Sequence, residues 1–324
     1  MSQTPHQDPP SANDAQPTRR SLLLGPNGLR AGWAALLFIA IFAAEFALIH
    51  WLHSLLVPGK HPRPTSMPWN AGLFQEAQML AMLAIPLFVL SRIERKPVAA
   101  YGYRGQASAS RFVFGLLWGF IAISALVGAL WKLGYLAFDG SVLTGSQAWQ
   151  CALGWGVVFI VVGFFEESSL RGYLQFTLAR GLGFWWAALI LSCLFAALHG
   201  SNPGESPVGL VGVGAAGLVF SLSLWYTGSL WWAIGFHAAW DWGQSFFYGT
   251  ADSGLIAQGH LLQEHAVGNP LWSGGSDGPE GSVLALALLA IVTAAMFLWW
   301  GRRAVSPFDG TAWRPRRAFG QIQP

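Results

Sequence analysis

Apolar stretches of about the length needed to cross a lipid bilayer recur along this chain, separated by short polar segments. A helix needs about 20 mostly apolar residues to span the hydrocarbon core of a membrane. The recurrence therefore predicts an all-α, polytopic membrane helix bundle with about eight transmembrane helices. The stretches lie at about 31–57, 71–91, 112–136, 148–165, 184–199, 207–226, 229–248 and 282–300.

The composition supports a membrane protein. Of the 324 residues, 53% are hydrophobic and 10% are charged, whereas soluble domains carry roughly 25% charged residues. This deficit excludes an ordinary soluble globular protein, so we expect the lipid bilayer as the surroundings. The net charge of +3 is too small to indicate a nucleic-acid partner. The two cysteines, Cys151 and Cys193, lie in apolar runs and indicate neither a disulfide framework nor a thiolate metal site.

The distribution of basic residues predicts the orientation in the membrane. With the N-terminus in the cytoplasm, 15 of the 18 Lys and Arg residues fall in cytoplasmic segments, as the positive-inside rule requires. The loop at 249–281 contains four acidic residues and neither Lys nor Arg, which indicates the outer side in the same arrangement. We therefore expect cytoplasmic N- and C-termini and a multi-pass protein of the bacterial inner (cell) membrane.

The chain divides into three regions. Residues 1–30 are rich in Pro, Gln, Asn, Ser and Asp, which predicts a disordered cytoplasmic tail and not a signal peptide. Residues 31–301 form the predicted transmembrane helical domain. Residues 302–324 contain five arginines and form a predicted basic cytoplasmic tail.

Several ionisable side chains lie inside the predicted spans. A charged group near the bilayer centre costs about 2.5 to 3.5 kcal/mol on insertion scales, so each such residue indicates a function or a buried partner. Two carboxylates and a guanidinium, Glu166, Glu167 and Arg171, lie within six residues at the end of one apolar stretch. The other candidates are Glu45, His50, His53, Glu76, His199, His237 and Asp241.

The spacing of these groups predicts different roles for the two adjacent glutamates. On a helix, Glu167 and Arg171 are four residues apart and can form an ion pair. Glu166 points about 100° away from Glu167, because the helix has 3.6 residues per turn, and is free to face another group. Purely structural ion pairing of both glutamates is the alternative, although one carboxylate suffices for Arg171.

Three helical segments bring four polar groups to a similar predicted depth. Glu166 lies about as many residues before the turn at 181–183 as His199 lies after it. Each is therefore about 24 Å from that turn along its antiparallel helix. His237 and Asp241 are four residues apart on one helix face. Such a group of carboxylates and imidazoles suits the activation of water, with a glutamate as general base. Two histidines with a carboxylate are also a ligand set for catalytic zinc.

Three motifs resemble those of the type II CAAX prenyl protease family, also called CPBP for CAAX proteases and bacteriocin-processing enzymes. They are Glu166-Glu167-x-x-x-Arg171, Phe195-x-x-x-His199 and His237-x-x-x-Asp241, which occur in this order in a core at about 148–248. The resemblance implies a membrane-embedded endopeptidase, a hydrolase that cleaves its substrate near the membrane face.

The resemblance also implies the role of each residue. Glu166 is the implied base that activates water together with His199, and His237 and Asp241 form the oxyanion side. Glu167 and Arg171 are the implied structural support. This glutamate mechanism needs no cofactor and we expect none; a zinc-dependent, metalloprotease-like version held by the same four catalytic residues is the alternative. Many family members have Asn where this chain has Asp241, and an ionised Asp cannot donate to an oxyanion, so the metal question stays open.

The implied partner is a protein or peptide substrate, with or without a lipid group. A prenylated CAAX protein, a leader peptide and an unprenylated bacterial substrate all remain open. A non-proteolytic membrane scaffold or bacteriocin-immunity protein with the same fold is the first alternative function. A transporter with a Glu/His proton relay is the second, although the chain lacks the paired interrupted segments that indicate a transporter site.

Overall fold

The computed structural model describes residues 22–25, 28–57, 59, 64–104 and 107–301. Most of the predicted N-terminal tail at 1–30 and all of the predicted C-terminal tail at 302–324 lie outside these residues. The predicted transmembrane domain at 31–301 lies almost entirely within them.

Each of the eight apolar stretches contains a helix, and the structure is 74% helical. The all-α helix bundle that the hydrophobic pattern predicts is therefore confirmed. The longer helices are α1 (Ala31–Leu56), α2 (Trp69–Glu94), α3 (Ser108–Lys132), α4 (Gly145–Glu167), α5 (Gln175–Leu182), α6 (Phe184–His199), α7 (Pro207–Thr227), α8 (Trp231–Asp241) and α10 (Val283–Met296). The shorter helical segments are α9 (Pro270–Ser273), 3-10 turns at Val98–Ala100 and Pro279–Gly281, and π-helical turns at Ser168–Leu174, Trp242–Phe247 and Phe297–Gly301.

Six of the described helical segments are long and apolar enough to cross a membrane, judged by length and composition alone. They comprise α1, α2, α3, the continuous segment Gly145–Leu182, α7, and α10 with its π-helical extension. The helices in the other two of the eight predicted spans are shorter: α6 has 16 residues and α8 has 11. The number of spans and the side of the termini stay predictions.

Short strands pair with one another in the segments between and before the helices. Three such pairs form among the described residues, one of them in the described part of the predicted N-terminal tail. They are β1 (Leu24–Gly25) with β2 (Gly28–Leu29), β3 (Ser66–Pro68) with β5 (Ile256–Gln258), and β4 (Leu136–Ser141) with β6 (Leu262–Ala266). The last two pairs hold the 249–281 segment against the connections before α2 and before α4. Strand pairing arises there because backbone N–H and C=O groups that leave water need partners.

We call the layer formed by residues 133–144, 200–206 and 249–281 the cap. Its segments also contact each other through side chains, since the backbone N–H and the hydroxyl of Ser206 both donate to Asp277, at 3.2 and 2.7 Å. The opposite end of the bundle has contacts of its own. There the Leu230 N–H donates to the Gly102 carbonyl at 2.9 Å, and Arg111 donates to the Thr227 carbonyl at 3.3 Å. The connections thus alternate between the two ends, as antiparallel helices require.

Helices α3 and α8 pack closely because glycines face the contact. A side chain at Gly119 would collide with the backbone carbonyl of Phe236, and one at Gly235 would collide with the carbonyl of Phe112. Small residues that allow such close approach are typical of helix contacts in membranes. This packing sets the position of α8, which carries His237 and Asp241, within the bundle.

The helix that carries the two adjacent glutamates is not regular beyond them. The segment Gly145–Leu182 is helical along its length, but Ser168–Leu174 is π-helical and Gly172 has a non-helical ψ of −107°. A π-helical turn inserts one extra residue and rotates the following side chains, and it occurs often at functional sites. The irregularity therefore lies directly next to Glu166, the predicted catalytic base, and Glu167, its predicted structural neighbour.

Candidate active site

Glu167 and Arg171 form the ion pair that their spacing predicts. Arg171 Nη1 donates to Glu167 Oε1 at 3.2 Å, and both side chains are fully buried. The guanidinium lies over the ring of Phe195 at 4.4 Å and near that of Phe220 at 5.6 Å. Gly217 leaves the space that Arg171 occupies, because a side chain there would collide with its guanidinium. The pair is thus enclosed by α4, α6 and α7.

His237 connects this ion pair to the other predicted site residues. Its Nδ1 lies 3.1 Å from Glu167 Oε1, so the ring donates to the same carboxylate oxygen that accepts from Arg171. The ring also stacks on Phe220, with centroids 5.3 Å apart. Fixing Nδ1 in this way turns Nε2 away from Glu167 and toward the interior of the cluster.

Glu166 and Asp241 both face His237 Nε2. Glu166 Oε2 lies 3.6 Å from this nitrogen and Asp241 Oδ2 lies 3.5 Å from it. These distances are longer than a hydrogen bond, and catalytic contacts are often long in a structure without substrate. The side chain of Glu166 is 23% exposed, whereas that of Glu167 is fully buried. Glu166 is therefore the carboxylate that a substrate or a water molecule can reach.

His199 lies beside this cluster at the end of α6. Its Nδ1 donates to the Phe195 carbonyl at 2.9 Å, which leaves Nε2 available. The Phe195 ring contacts both imidazoles, with centroids 4.6 Å from His199 and 6.2 Å from His237. The two histidines are thus neighbours of the same aromatic ring. No hydrogen bond or ion pair among the described residues joins His199 directly to Glu166.

Two acidic residues that the sequence analysis did not assign to the site lie close to it. Asp252, in the cap, accepts from Ser245 Oγ at 2.9 Å and interacts electrostatically with Glu166, His199 and His237. Burial raises the pKa of Asp252 to about 6. Glu76, on α2, interacts electrostatically with Glu166.

The sequence contained a signal for only one of these two residues. Glu76 is an acid inside an apolar stretch, whereas Asp252 lies in a polar segment where acids are ordinary. The remaining sequence candidates, Glu45, His50 and His53, lie on α1. No hydrogen bond or ion pair in the described part of the chain joins them to the cluster.

The same four side chains are the predicted ligands of a metal ion. Catalytic zinc takes three protein ligands at about 2.0 to 2.2 Å for nitrogen and oxygen. Within the described ranges, no group of three or more His, Cys, Asp or Glu side chains is arranged to hold a metal. The side chains of Glu166, His199, His237 and Asp241, as placed, do not form a ready zinc site.

Comparison with protein families gives one match. Residues 147–243 match the family of type II CAAX prenyl endopeptidases described as Rce1-like. The matched segment contains all three motifs and corresponds closely to the core predicted at about 148–248. A search of curated proteins finds no match. The family match supports the resemblance that the motifs indicated: residues 147–243 are similar to the Rce1-like type II CAAX prenyl endopeptidases.

Proposed function

We propose that this chain is a CAAX-type intramembrane endopeptidase in which Glu166 activates the attacking water. The family match supports a CAAX-type intramembrane protease in general, and the apolar helices indicate a multi-pass membrane protein. We also propose that the substrate is a protein or peptide, with or without a lipid group, and that the protein lies in the bacterial inner membrane.

The contrast between the two adjacent glutamates carries the proposal. Glu167 is fully buried and bridges Arg171 and His237, so it is committed to holding the site together. Glu166 is partly exposed and faces the opposite nitrogen of the same imidazole. Glu167 therefore holds the site together, and Glu166 is free to act as the base.

The proposed reaction begins with a water molecule near Glu166 and His199. Glu166 takes a proton from this water as its oxygen attacks the carbonyl carbon of the scissile peptide bond. His199 Nε2 orients the water, since its Nδ1 is occupied by the Phe195 carbonyl. In its protonated form, His237 donates from Nε2 to the oxyanion while Glu167 accepts from Nδ1. The proton on Glu166 then passes to the amine nitrogen as the C–N bond breaks, which restores the carboxylate.

A cleavage assay with purified protein tests the proposal and its metal-free form together. We expect cleavage of a membrane-proximal peptide, mapped by mass spectrometry, at a rate that a zinc chelator does not change, because Glu166 alone supplies the base. Activity that is lost on chelation and restored by zinc would support the metalloprotease alternative. No cleavage of any membrane-proximal peptide in a panel would favour a non-proteolytic scaffold or immunity protein.

Asp241 offers a second test, because many relatives have Asn there. Asn can donate to an oxyanion without a change of charge. Asp241 can donate to the oxyanion only in its protonated form. For that role we expect Asp241→Asn to keep kcat/KM within about tenfold of wild type, and Asp241→Leu to lower it by about 10²- to 10³-fold, the usual effect of losing an oxyanion donor. The measurement is kcat/KM on one peptide. If Asp241→Asn is as inactive as Asp241→Leu, a negative charge is required and the oxyanion role is wrong.

A further inference from the structure

Glu94, the last residue of α2, lies at the centre of a second buried polar cluster. Its side chain is 1% exposed. Oε1 accepts hydrogen bonds from the Tyr173 hydroxyl at 2.9 Å and from Arg180 Nη2 at 2.7 Å, and Oε2 accepts from the Tyr101 hydroxyl at 3.0 Å. Lys96 Nζ lies 3.8 Å from Oε2. A buried carboxylate needs such partners to stay charged, so Glu94 is a fixed point to which the other groups attach.

Tyr173 connects this cluster to the helix that carries the two adjacent glutamates. It belongs to the π-helical turn Ser168–Leu174, which begins directly after Glu167. Its side chain is fully buried, and its ring stacks on that of Phe38 in α1, with centroids 4.8 Å apart. The tyrosine therefore attaches the turn to α1 through its ring and to the end of α2 through its hydroxyl.

Arg171 attaches the same turn to other helices. Its guanidinium pairs with Glu167 and lies over the Phe195 ring of α6. Gly172, with its non-helical ψ, lies between Arg171 and Tyr173 in the chain. Side-chain contacts thus hold the irregular turn on both sides of Gly172, through Arg171 in the candidate active site and through Tyr173 at the end of α2.

The placement of Glu166 depends on this turn, because Glu166 lies two residues before it. A rotation of the turn would change the direction in which the Glu166 side chain points, and with it the 3.6 Å approach to His237 Nε2. A misplacement of about 1 Å can lower a reaction rate about 10²-fold. Resting on the proposed function, we propose that Glu94 is a positioning residue, which holds Tyr173 and thereby sets the placement of Glu166 through the π-helical turn.

Two tyrosine variants test the proposal, because each removes one hydroxyl from the same carboxylate and keeps its ring. Tyr173→Phe frees the π-helical turn from Glu94, whereas Tyr101→Phe acts outside the turn, directly after the 3-10 turn at Val98–Ala100. We expect Tyr173→Phe to lower kcat about 10- to 100-fold, with KM within about twofold, since an interaction needed only in the transition state affects kcat. Tyr101→Phe should keep kcat within about twofold of wild type.

The comparison between the two variants decides the proposal. Each leaves Glu94 with two of its three hydrogen bonds, so their unfolding temperatures should be similar. A wild-type kcat in Tyr173→Phe, or a change in KM alone, would overturn the proposal. An equal loss of kcat in both variants would do the same, because it would result from general loosening around Glu94.

Substitutions of Glu94 itself test the role of its hydrogen bonds. Glu94→Gln keeps an oxygen that can accept from the Tyr173 hydroxyl, and should hold kcat within about tenfold of wild type. Glu94→Leu has no acceptor and should lower kcat at least as much as Tyr173→Phe. If Glu94→Gln is as slow as Glu94→Leu, the charge matters and not the link to Tyr173, and the proposal is wrong. Should Glu94→Leu fail to fold because Arg180 loses its partner, the tyrosine pair decides alone.

Hydrogen–deuterium exchange of the purified protein in micelles gives a readout that needs no activity. Backbone amides of the 168–174 turn should exchange about fivefold faster in Tyr173→Phe, the factor that corresponds to the loss of one hydrogen bond, and at the wild-type rate in Tyr101→Phe. Unchanged exchange in Tyr173→Phe would overturn the proposal even if wild type cleaves a peptide. If wild type cleaves no peptide, the proposed function fails and the positioning role fails with it, while faster exchange in Tyr173→Phe would still show that Glu94 holds the turn.

Discussion

Replacing Glu166 with glutamine is expected to lower kcat/KM by about 10²- to 10⁴-fold, the usual contribution of a general base. Glutamine keeps the size of the side chain but cannot take a proton from water at neutral pH. The effect should fall on kcat more than on KM, because the carboxylate is needed in the transition state and not for binding. Steady-state kinetics on a peptide that wild type cleaves provide the measurement.

A matched substitution separates this effect from damage to the fold. Glu264→Gln makes the same chemical change in β6 of the cap, at a residue outside the catalytic cluster, and should leave kcat/KM unchanged. The unfolding temperature of Glu166→Gln should stay close to that of wild type, because Glu166 Oε2 accepts no hydrogen bond and its contact with His237 Nε2, at 3.6 Å, is long. Near-normal activity of Glu166→Gln would contradict its role as the base.

Replacing Arg171 with methionine is expected to lower the free energy of unfolding by about 3 to 5 kcal/mol, since removing one partner of a buried ion pair strands the other charge. Glu167 would then be fully buried without its guanidinium partner. The packing of Arg171 against the Phe195 ring would also weaken. Reversible unfolding in detergent micelles, followed by tryptophan fluorescence, measures the change.

Two further variants test the cause of that loss. Glu167→Gln combined with Arg171→Met leaves no unpaired charge, and its amide oxygen can still accept from His237 Nδ1, so the double variant should regain more than half of the lost stability. Arg104→Met, at an exposed residue, should stay within about 0.5 kcal/mol of wild type. If Arg171→Met is no less stable than Arg104→Met, the pair does not support the site.

The site could be predicted only in part from the sequence, and its residues show why. Contacts within one helix follow from its periodicity, so the pairing of Glu167 with Arg171 and the shared face of His237 and Asp241 were both predictable. The bridge from Glu167 to His237 joins residues 70 positions apart. Residue spacing along one helix does not predict a contact between residues so far apart in the chain.

Membrane helices make such long-range contacts especially hard to predict. A soluble helix shows its buried face by a polar opposite side, but a helix in lipid is apolar all round. The pattern of α4 therefore does not reveal that Glu166 faces His237 on α8 or interacts with Glu76 on α2. The π-helical turn at Ser168–Leu174 likewise leaves no signal in the hydrophobic pattern.

The sequence by itself determined the membrane-type helix bundle, the motifs and the difference in charge between alternate connections of the helices. These features depend on composition and on spacing along one helix, because burying charge in lipid is costly wherever it occurs. Only the tertiary structure decided which glutamate is enclosed, which one is open, and that Asp252 of the cap interacts electrostatically with both histidines. Those outcomes depend on how closely helices such as α3 and α8 approach, and that distance is set by side-chain packing between segments far apart in the chain.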